Sequence, residues 1–211
     1  MRDAISPSES TAAVTWAAVR LFLLVRHGQS LFNVDRVVNG DPALDRGLSE
    51  QGIEEAEQLG REIAALPIEL AAVSPFPRAL QTANIALGRR DVPHLVDDDL
   101  GDVRIGELEG KTLDEYRAAP AHANRQERFP GGESLYEAAL RYSAALERLL
   151  ARDERTTLVV SHEIAVRYAV NAAGGSDELN WPLHSVANAT PYLFDEESLA
   201  RAVSRIRELA G

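Results

Sequence analysis

The sequence predicts an α/β domain built on a parallel sheet, and three observations carry that expectation. Short apolar or β-branched runs recur along the chain: Leu21-Phe22-Leu23-Leu24-Val25, Leu70-Ala71-Ala72-Val73 and Thr157-Leu158-Val159-Val160. They are too continuous for strands with one wet face and read as strands buried on both, as in parallel sheets. Between them lie stretches whose apolar residues repeat at helical spacing, so strands alternate with helices in a layered architecture. Each run also stops at a polar turn, Arg26-His27-Gly28, Ser74-Pro75-Phe76-Pro77-Arg78 and Ser161-His162. Ligands of open α/β sheets bind just beyond the carboxyl ends of strands.

In chain order, residues 1–19 form a Ser/Pro/Glu-rich stretch and a moderately apolar segment, read as a loosely ordered leader. No secretory signal is read there, and the chain is expected to be cytoplasmic. Residues 20–211 are then one catalytic domain. After the first strand, Gly28 is expected to let the backbone turn and approach a ligand. Asn33 to Gly47 reads as a polar loop with an Asn39-Gly40-Asp41-Pro42 turn.

Ser49 is a candidate N-cap, with Ile53, Ala56, Leu59, Ile63 and Leu66 forming one apolar helical face. A second helix opens at Arg78 and runs to about Leu87. Val92-Pro93-His94-Leu95-Val96 fits an edge strand, where proline is tolerated. Thr112 with Glu115, and Ser134 with Glu137, match capping boxes, the second opening a helix to about Ala151. A further helix follows His162 to about Ala173, and Tyr192 to Asp195 is a last strand before a C-terminal helix.

The 211 residues suffice for a substantial core, and 45% hydrophobic with 26% charged residues is ordinary globular composition. A net charge of −11 argues against nucleic acid or an anionic membrane as partner. An anion site must therefore be a local concentration of cations. Lys111 is the only lysine, so nearly all positive charge is arginine, the better bidentate phosphate ligand. The absence of cysteine excludes disulfides and thiolate chemistry. No apolar run is long enough to span a membrane.

The three strand ends bring one chemistry to one edge of the sheet: Arg26 and His27, Arg78, and His162. Two imidazoles and two guanidiniums together make an anion pocket, with phosphate the obvious anion. An imidazole in line with phosphorus is a nucleophile, the remaining cations hold the equatorial oxygens, and a proton donor is still needed. Standing alone, Arg78 would be a surface helix residue and His162 a satisfied strand-end histidine.

Leu24-Val25-Arg26-His27-Gly28-Gln29-Ser30 resembles the signature of the histidine phosphatase superfamily, which includes the cofactor-dependent phosphoglycerate mutases and many phosphomonoesterases. The resemblance continues in order through Asn33, Gly40, Leu48-Ser49-Glu50-Gln51-Gly52 and Ser74-Pro75-Phe76-Pro77-Arg78-Ala79-Leu80-Gln81-Thr82-Ala83. It extends through Gly106-Glu107-Leu108-Glu109-Gly110, Pro130-Gly131-Gly132-Glu133-Ser134 and Val159-Val160-Ser161-His162, covering most of residues 21–170. It implies a three-layer α/β/α sandwich around a mostly parallel sheet, like that of phosphoglycerate mutase. It further implies His27 as nucleophile, Arg26, Arg78 and His162 as phosphate clamp, and Asn33 lining the phosphate site. No metal or cofactor is implied.

Two positions depart from the pattern. The family's donor glutamate is replaced by Asp102, one methylene shorter, or about 1.5 Å. A misplacement near 1 Å costs on the order of a hundredfold in rate, which leaves Glu107 as an alternative donor. Asp102 alternatively belongs to the solvated acidic loop with Asp97 to Asp99. Glu163 stands where glycine often follows the second histidine, and is expected to face away at a helix start. His94, His122 and His184 read as structural or surface residues.

The leading functional expectation is a phosphatase acting on small phosphomonoesters. A phosphoglycerate mutase is the second, disfavoured because Gly110 to Pro130 is short. A non-catalytic phospho-ligand binder, left with a clamp and a poor acid, is the third. Neither the particular ester nor the oligomeric state is legible.

Overall fold

A computed structural model describes residues 19–211; the expected leader, apart from Val19, falls outside the described residues. Five strands form one sheet in the order β3-β2-β4-β1-β5: β1 (Leu21–Arg26), β2 (Leu70–Val73), β3 (His94–Val96), β4 (Thr156–Ser161) and β5 (Pro191–Asp195). The first four are parallel, and β5 closes the β1 edge antiparallel. Pairing of Arg26 with Ser161 and of Val73 with Val160 puts the ends of β1, β2 and β4 level. That register fixes where the reactive side chains emerge.

The helices are α1 (Leu31–Asp35), α2 (Glu50–Glu62), α3 (Pro77–Leu87), α4 (Leu113–Ala118), α5 (Pro120–Ala123), α6 (Leu135–Leu150), α7 (Glu163–Ala173) and α8 (Glu196–Ala210). Adjacent strand residues go to opposite layers, as a pleat demands. Leu23, Val25, Ala71, Val73, Leu158 and Val160 pack with α2 and α3. Phe22, Leu24, Leu70, Ala72 and Val159 pack with α6, α7 and α8. A sandwich of helices, sheet and helices results, as expected. A third cluster, with Val103, Ile105, Tyr116 and Phe129 at its centre, lies around α4, α5 and the start of α6. Among the described residues no helix is long and apolar enough to cross a membrane.

Local chemistry sets most boundaries. Ser30, Thr112 and Ser134 each close a capping box onto α1, α4 and α6. Helix α2 ends at Glu62 with Ile63 as its cap, short of Leu66, and Pro67 disfavours helical geometry at Leu66 itself. Ile53 is 42% exposed, so it lies off the apolar face predicted for it. The Asn33–Gly47 segment is not all loop: it holds part of α1 and a 3₁₀ turn at Pro42–Leu44.

Gly28 differs from expectation in its reason. It needs no left-handed backbone; its Cα faces Gly52 in the first turn of α2, and an added Cβ would sit 2.5 Å from the Gly52 carbonyl oxygen. The glycine lets two backbones touch. Gly28→Ala is therefore expected to cost about 1–3 kcal/mol, as overpacking does. Urea denaturation of the two proteins checks this, and equal midpoints would contradict it.

Candidate active site

The side chains that emerge from the level strand ends meet around one buried guanidinium. Arg78, in the first turn of α3, is 3% exposed and stacks its guanidinium carbon 4.3 Å from the Phe76 ring centroid. Its Nε donates to His27 Nε2 at 3.0 Å. One terminal nitrogen donates to Asn39 Oδ1 at 2.6 Å and lies 3.3 Å from Asp45 Oδ1. The other donates to Asp102 Oδ2 at 2.9 Å and to the Asn39 carbonyl at 3.2 Å, and lies 3.3 Å from His162 Nδ1. Asp45 also accepts from the Arg78 backbone N–H at 2.8 Å, so it caps α3 and neutralises the side chain together.

His27, directly beyond β1, is 3% exposed, with Nδ1 2.7 Å from the Gly28 carbonyl oxygen. A carbonyl only accepts, so Nδ1 carries the proton and Nε2 presents its lone pair. Burial, then the charges of Arg78 and its neighbours, hold this imidazole well below the usual range, so it is neutral. Around it, Asn188 donates to the His27 carbonyl at 2.7 Å, and Thr82 Oγ1 accepts from Gly28 N–H at 2.9 Å.

His162 caps the end of β4 and is fully buried. Its Nε2 lies 2.7 Å from Ser74 Oγ at the end of β2, and its Nδ1 lies 3.2 Å from Asp102 Oδ2. Burial lowers its basicity, although Asp102 pulls the other way. Burial opposes charge on Asp102 too, but the adjacent His162, the Arg78 guanidinium and the Val103 N–H outweigh it. The carboxyl is held well below the usual carboxylate range. Arg78 is the permanent charge among these, so Asp102 is ionised.

Arg78 thus contacts His27, His162 and Asp102, while His162 contacts Asp102 and stands edge-on to His27. Glu107 is exposed in the 3₁₀ turn at Gly106–Leu108 and does not line the cleft, whereas Asp102 does. Arg26 lines the same cleft of about 420 Å³, donating to the Val186 carbonyl at 2.9 Å. Asn33 lines it as well, with Oδ1 engaged by the Ser30 N–H at 3.0 Å in the capping box of α1.

Several residues depart from their reading in the sequence. Glu163 does not face away: it lines the cleft and pairs with Arg26 at 3.1 Å. His122 and His184 also border the cleft, whereas His94 is exposed on β3. Asn39 and Asp45, which hold Arg78, stand in what reads as an ordinary polar turn. Nothing in the sequence signals them; Asn39 is itself held by Glu109, which accepts from Asn39 Nδ2 at 2.8 Å and from Gly40 N–H at 2.7 Å. Charged residues in a loop rarely declare such partners.

The histidine phosphatase superfamily (branch 1) profile matches residues 22–208. The chain belongs to that superfamily. It is 32% identical over 192 residues to a 2,3-bisphosphoglycerate-dependent phosphoglycerate mutase of Methylobacterium radiotolerans, covering 83% of this chain and 89% of that one. A mutase of the same name from Brucella anthropi is 33% identical over 172 residues, covering 74% and 82%. Among solved structures, Bacillus stearothermophilus YhfR superposes with a TM-score of 0.72 at 27% identity, covering 82% of this chain and 89% of that one. Mycobacterial glucosyl-3-phosphoglycerate phosphatase in complex with VO₃ gives 0.70 at 26%, covering 82% and 92%. Sequence relatives are thus named as mutases, and structural neighbours include a phosphatase.

The loop bearing Asp102 is held from α6. Arg141 donates to the carbonyls of Asp99, Gly101 and Asp102 at 2.9, 3.0 and 3.0 Å. It also grips Glu133, with Nε to Oε2 at 3.2 Å and both side chains 8% exposed. Arg141→Met would leave the Glu133 charge buried and unpaired, a loss expected to cost about 3–5 kcal/mol. Chemical denaturation at neutral pH measures it; a loss below about 1 kcal/mol would show that the pair is not needed.

Proposed function

We propose that the protein is a metal-independent phosphomonoesterase that hydrolyses small phosphorylated metabolites in the cytoplasm through a phosphohistidine on His27. The observation that carries this reading is the His27 ring itself. It is buried and neutral, its Nδ1 proton is committed to Gly28, and its Nε2 lone pair stands against a guanidinium. A nucleophile needs that unprotonated nitrogen, and the neighbouring cation suits the oxyanions of the ester it attacks.

In the first step Nε2 bonds to phosphorus as the bond to the ester oxygen breaks, and Asp102 gives that oxygen its proton. In the second, water attacks phosphorus, Asp102 takes the water's proton, and the phosphorus–nitrogen bond breaks. Arg26, Arg78 and His162 hold the equatorial oxygens, with Asn33 at the edge of the phosphate site. Guanidinium charge supplies the stabilisation, so the route calls for no metal. Among the described residues no three His, Asp or Glu side chains are grouped to hold one. Phosphate release separates hydrolysis from the mutase chemistry for which aligned relatives are named.

Phosphate release from alkyl, aryl and glycerate phosphates tests the proposal. His27→Ala should abolish release and also the acid-labile phosphoryl label on the protein. Asp102→Asn should lose about 10²–10⁴-fold on alkyl phosphates and far less on p-nitrophenyl phosphate, whose phenolate leaves unprotonated. Label retained in His27→Ala would end the nucleophile assignment; phosphoryl exchange between phosphoglycerates without release would favour the mutase.

A pH dependence follows from Asp102. It is ionised in the free protein, so the proton it donates must arrive with the ester. Phosphate monoesters hold that proton with a pKa of about 6. The value of kcat/KM should be highest below about pH 6 and decline as pH rises through it. A profile flat or rising from there to pH 8 would contradict the scheme.

A further inference from the structure

Glu163 is the first residue of α7 and divides its carboxylate between two cations of the cleft. Oε2 lies 3.1 Å from Arg26 Nη1, and Oε1 lies 3.3 Å from Arg167 Nη1. Those same nitrogens donate to the carbonyls of Val186 and His184. Arg78 has Asp45 and Asp102, and Arg36 turns onto Asp114 at 3.2 Å. Of the arginines that line the cleft, only Arg117, on its exposed rim, lacks a carboxylate partner among the described residues. An apolar wall of the cleft is formed by Phe32, Val37, Val38, Leu113, Tyr116 and Ile164. Much of that wall belongs to the third hydrophobic cluster and is therefore firmly backed.

We propose that this cleft takes phosphate esters of uncharged alcohols with an apolar or aromatic face. Glu163 is the residue that rejects esters bearing a second anion beside the phosphate. The assignment rests on reading the cleft as a phosphate-ester site. A ligand carboxylate near Arg26 or Arg167 meets donors already engaged and a like charge between them. In a cleft of lowered dielectric that repulsion is strong, and it supplies specificity by excluding the wrong ligand. The phosphate itself is less affected, because it also meets Arg78, whose partners do not include Glu163. Arg26 also keeps its Nε, buried without a partner among the described residues. A hydroxyl finds an acceptor in Glu163, and a ring finds the apolar wall. The assignment sets this chain apart from relatives named for phosphoglycerate, an ester that carries a carboxylate.

Titration calorimetry with phosphonates, which cannot be hydrolysed, reads selectivity without turnover. Benzylphosphonate and 2-carboxyethylphosphonate are titrated into wild type, Glu163→Gln and Glu163→Gly, with inorganic phosphate alongside. Wild type should bind benzylphosphonate at least about tenfold more tightly, and either substitution should narrow that ratio about tenfold. Equal or tighter wild-type binding of the carboxylate compound overturns the proposal and moves the anion's seat to Arg117. A ratio that neither substitution moves also overturns it. Failure of inorganic phosphate to bind would sink the phosphate-site reading; phosphate binding without the selectivity sinks only the role of Glu163.

Discussion

A guanidinium cannot shed its proton in a protein, and burying one is costly unless every face is answered. Arg78 is buried, and the architecture around it can be read as the set of answers. Asp45 and Asp102 supply countercharge, Asn39 supplies two oxygens, Phe76 covers the flat face and His27 accepts the remaining N–H. Those partners come from the β1 end, the loop before α2 and the loop after β3. The residue therefore ties together segments that the sheet alone only brings near one another.

The same charge sets the chemistry of its neighbours. Burial first, and then this charge, keeps His27 neutral with Nε2 as an acceptor, and His162 together with Arg78 outweighs the burial that would otherwise protonate Asp102. A neutral imidazole and an ionised carboxylate thus stand ready before any ligand arrives. Entry of a phosphate would redistribute these contacts. An anion beside Arg78 competes with Asp102 for it, and the carboxyl, losing its partner and gaining a negative neighbour, becomes easier to protonate. The ion pair of the free protein and the proton donor of the proposed reaction are then two states of the same group.

Much of this was legible in the sequence where the cause is local. Continuous apolar runs mark β1, β2 and β4, and serine or threonine followed three residues later by glutamate marks the starts of α4 and α6. The polar strand ends located His27, Arg78 and Arg26 in one cleft, with His162 fully buried against Arg78 and Asp102 rather than in its lining. What escaped depends on contacts between distant segments. Asn39 and Asp45 look like turn residues, because nothing within a few positions of them requires a partner on α3. Glu163 looks solvated on its helix, because Arg26 is 137 positions earlier in the chain. Gly28 was recognisable as a constrained position, but the constraint is the backbone of Gly52 rather than a turn.

The aspartate proposed as proton donor shows how distant contacts place a short side chain. Measured along the side chain, aspartate falls about one carbon–carbon bond short of glutamate. Asp102 nonetheless reaches Arg78 at 2.9 Å and His162 at 3.2 Å from where its backbone is held. That backbone is set by Arg141, which gathers three carbonyls of the loop while Glu133 fixes its fork. Glu133 in turn accepts from the Arg104 N–H at 3.0 Å, just beyond Asp102, so the loop is held on both sides of the donor. The reach of the acid is therefore a property of the loop and its anchors on α6. A substitution that looks like a loss of catalytic length in the sequence becomes, in the folded protein, a question of where the main chain is held.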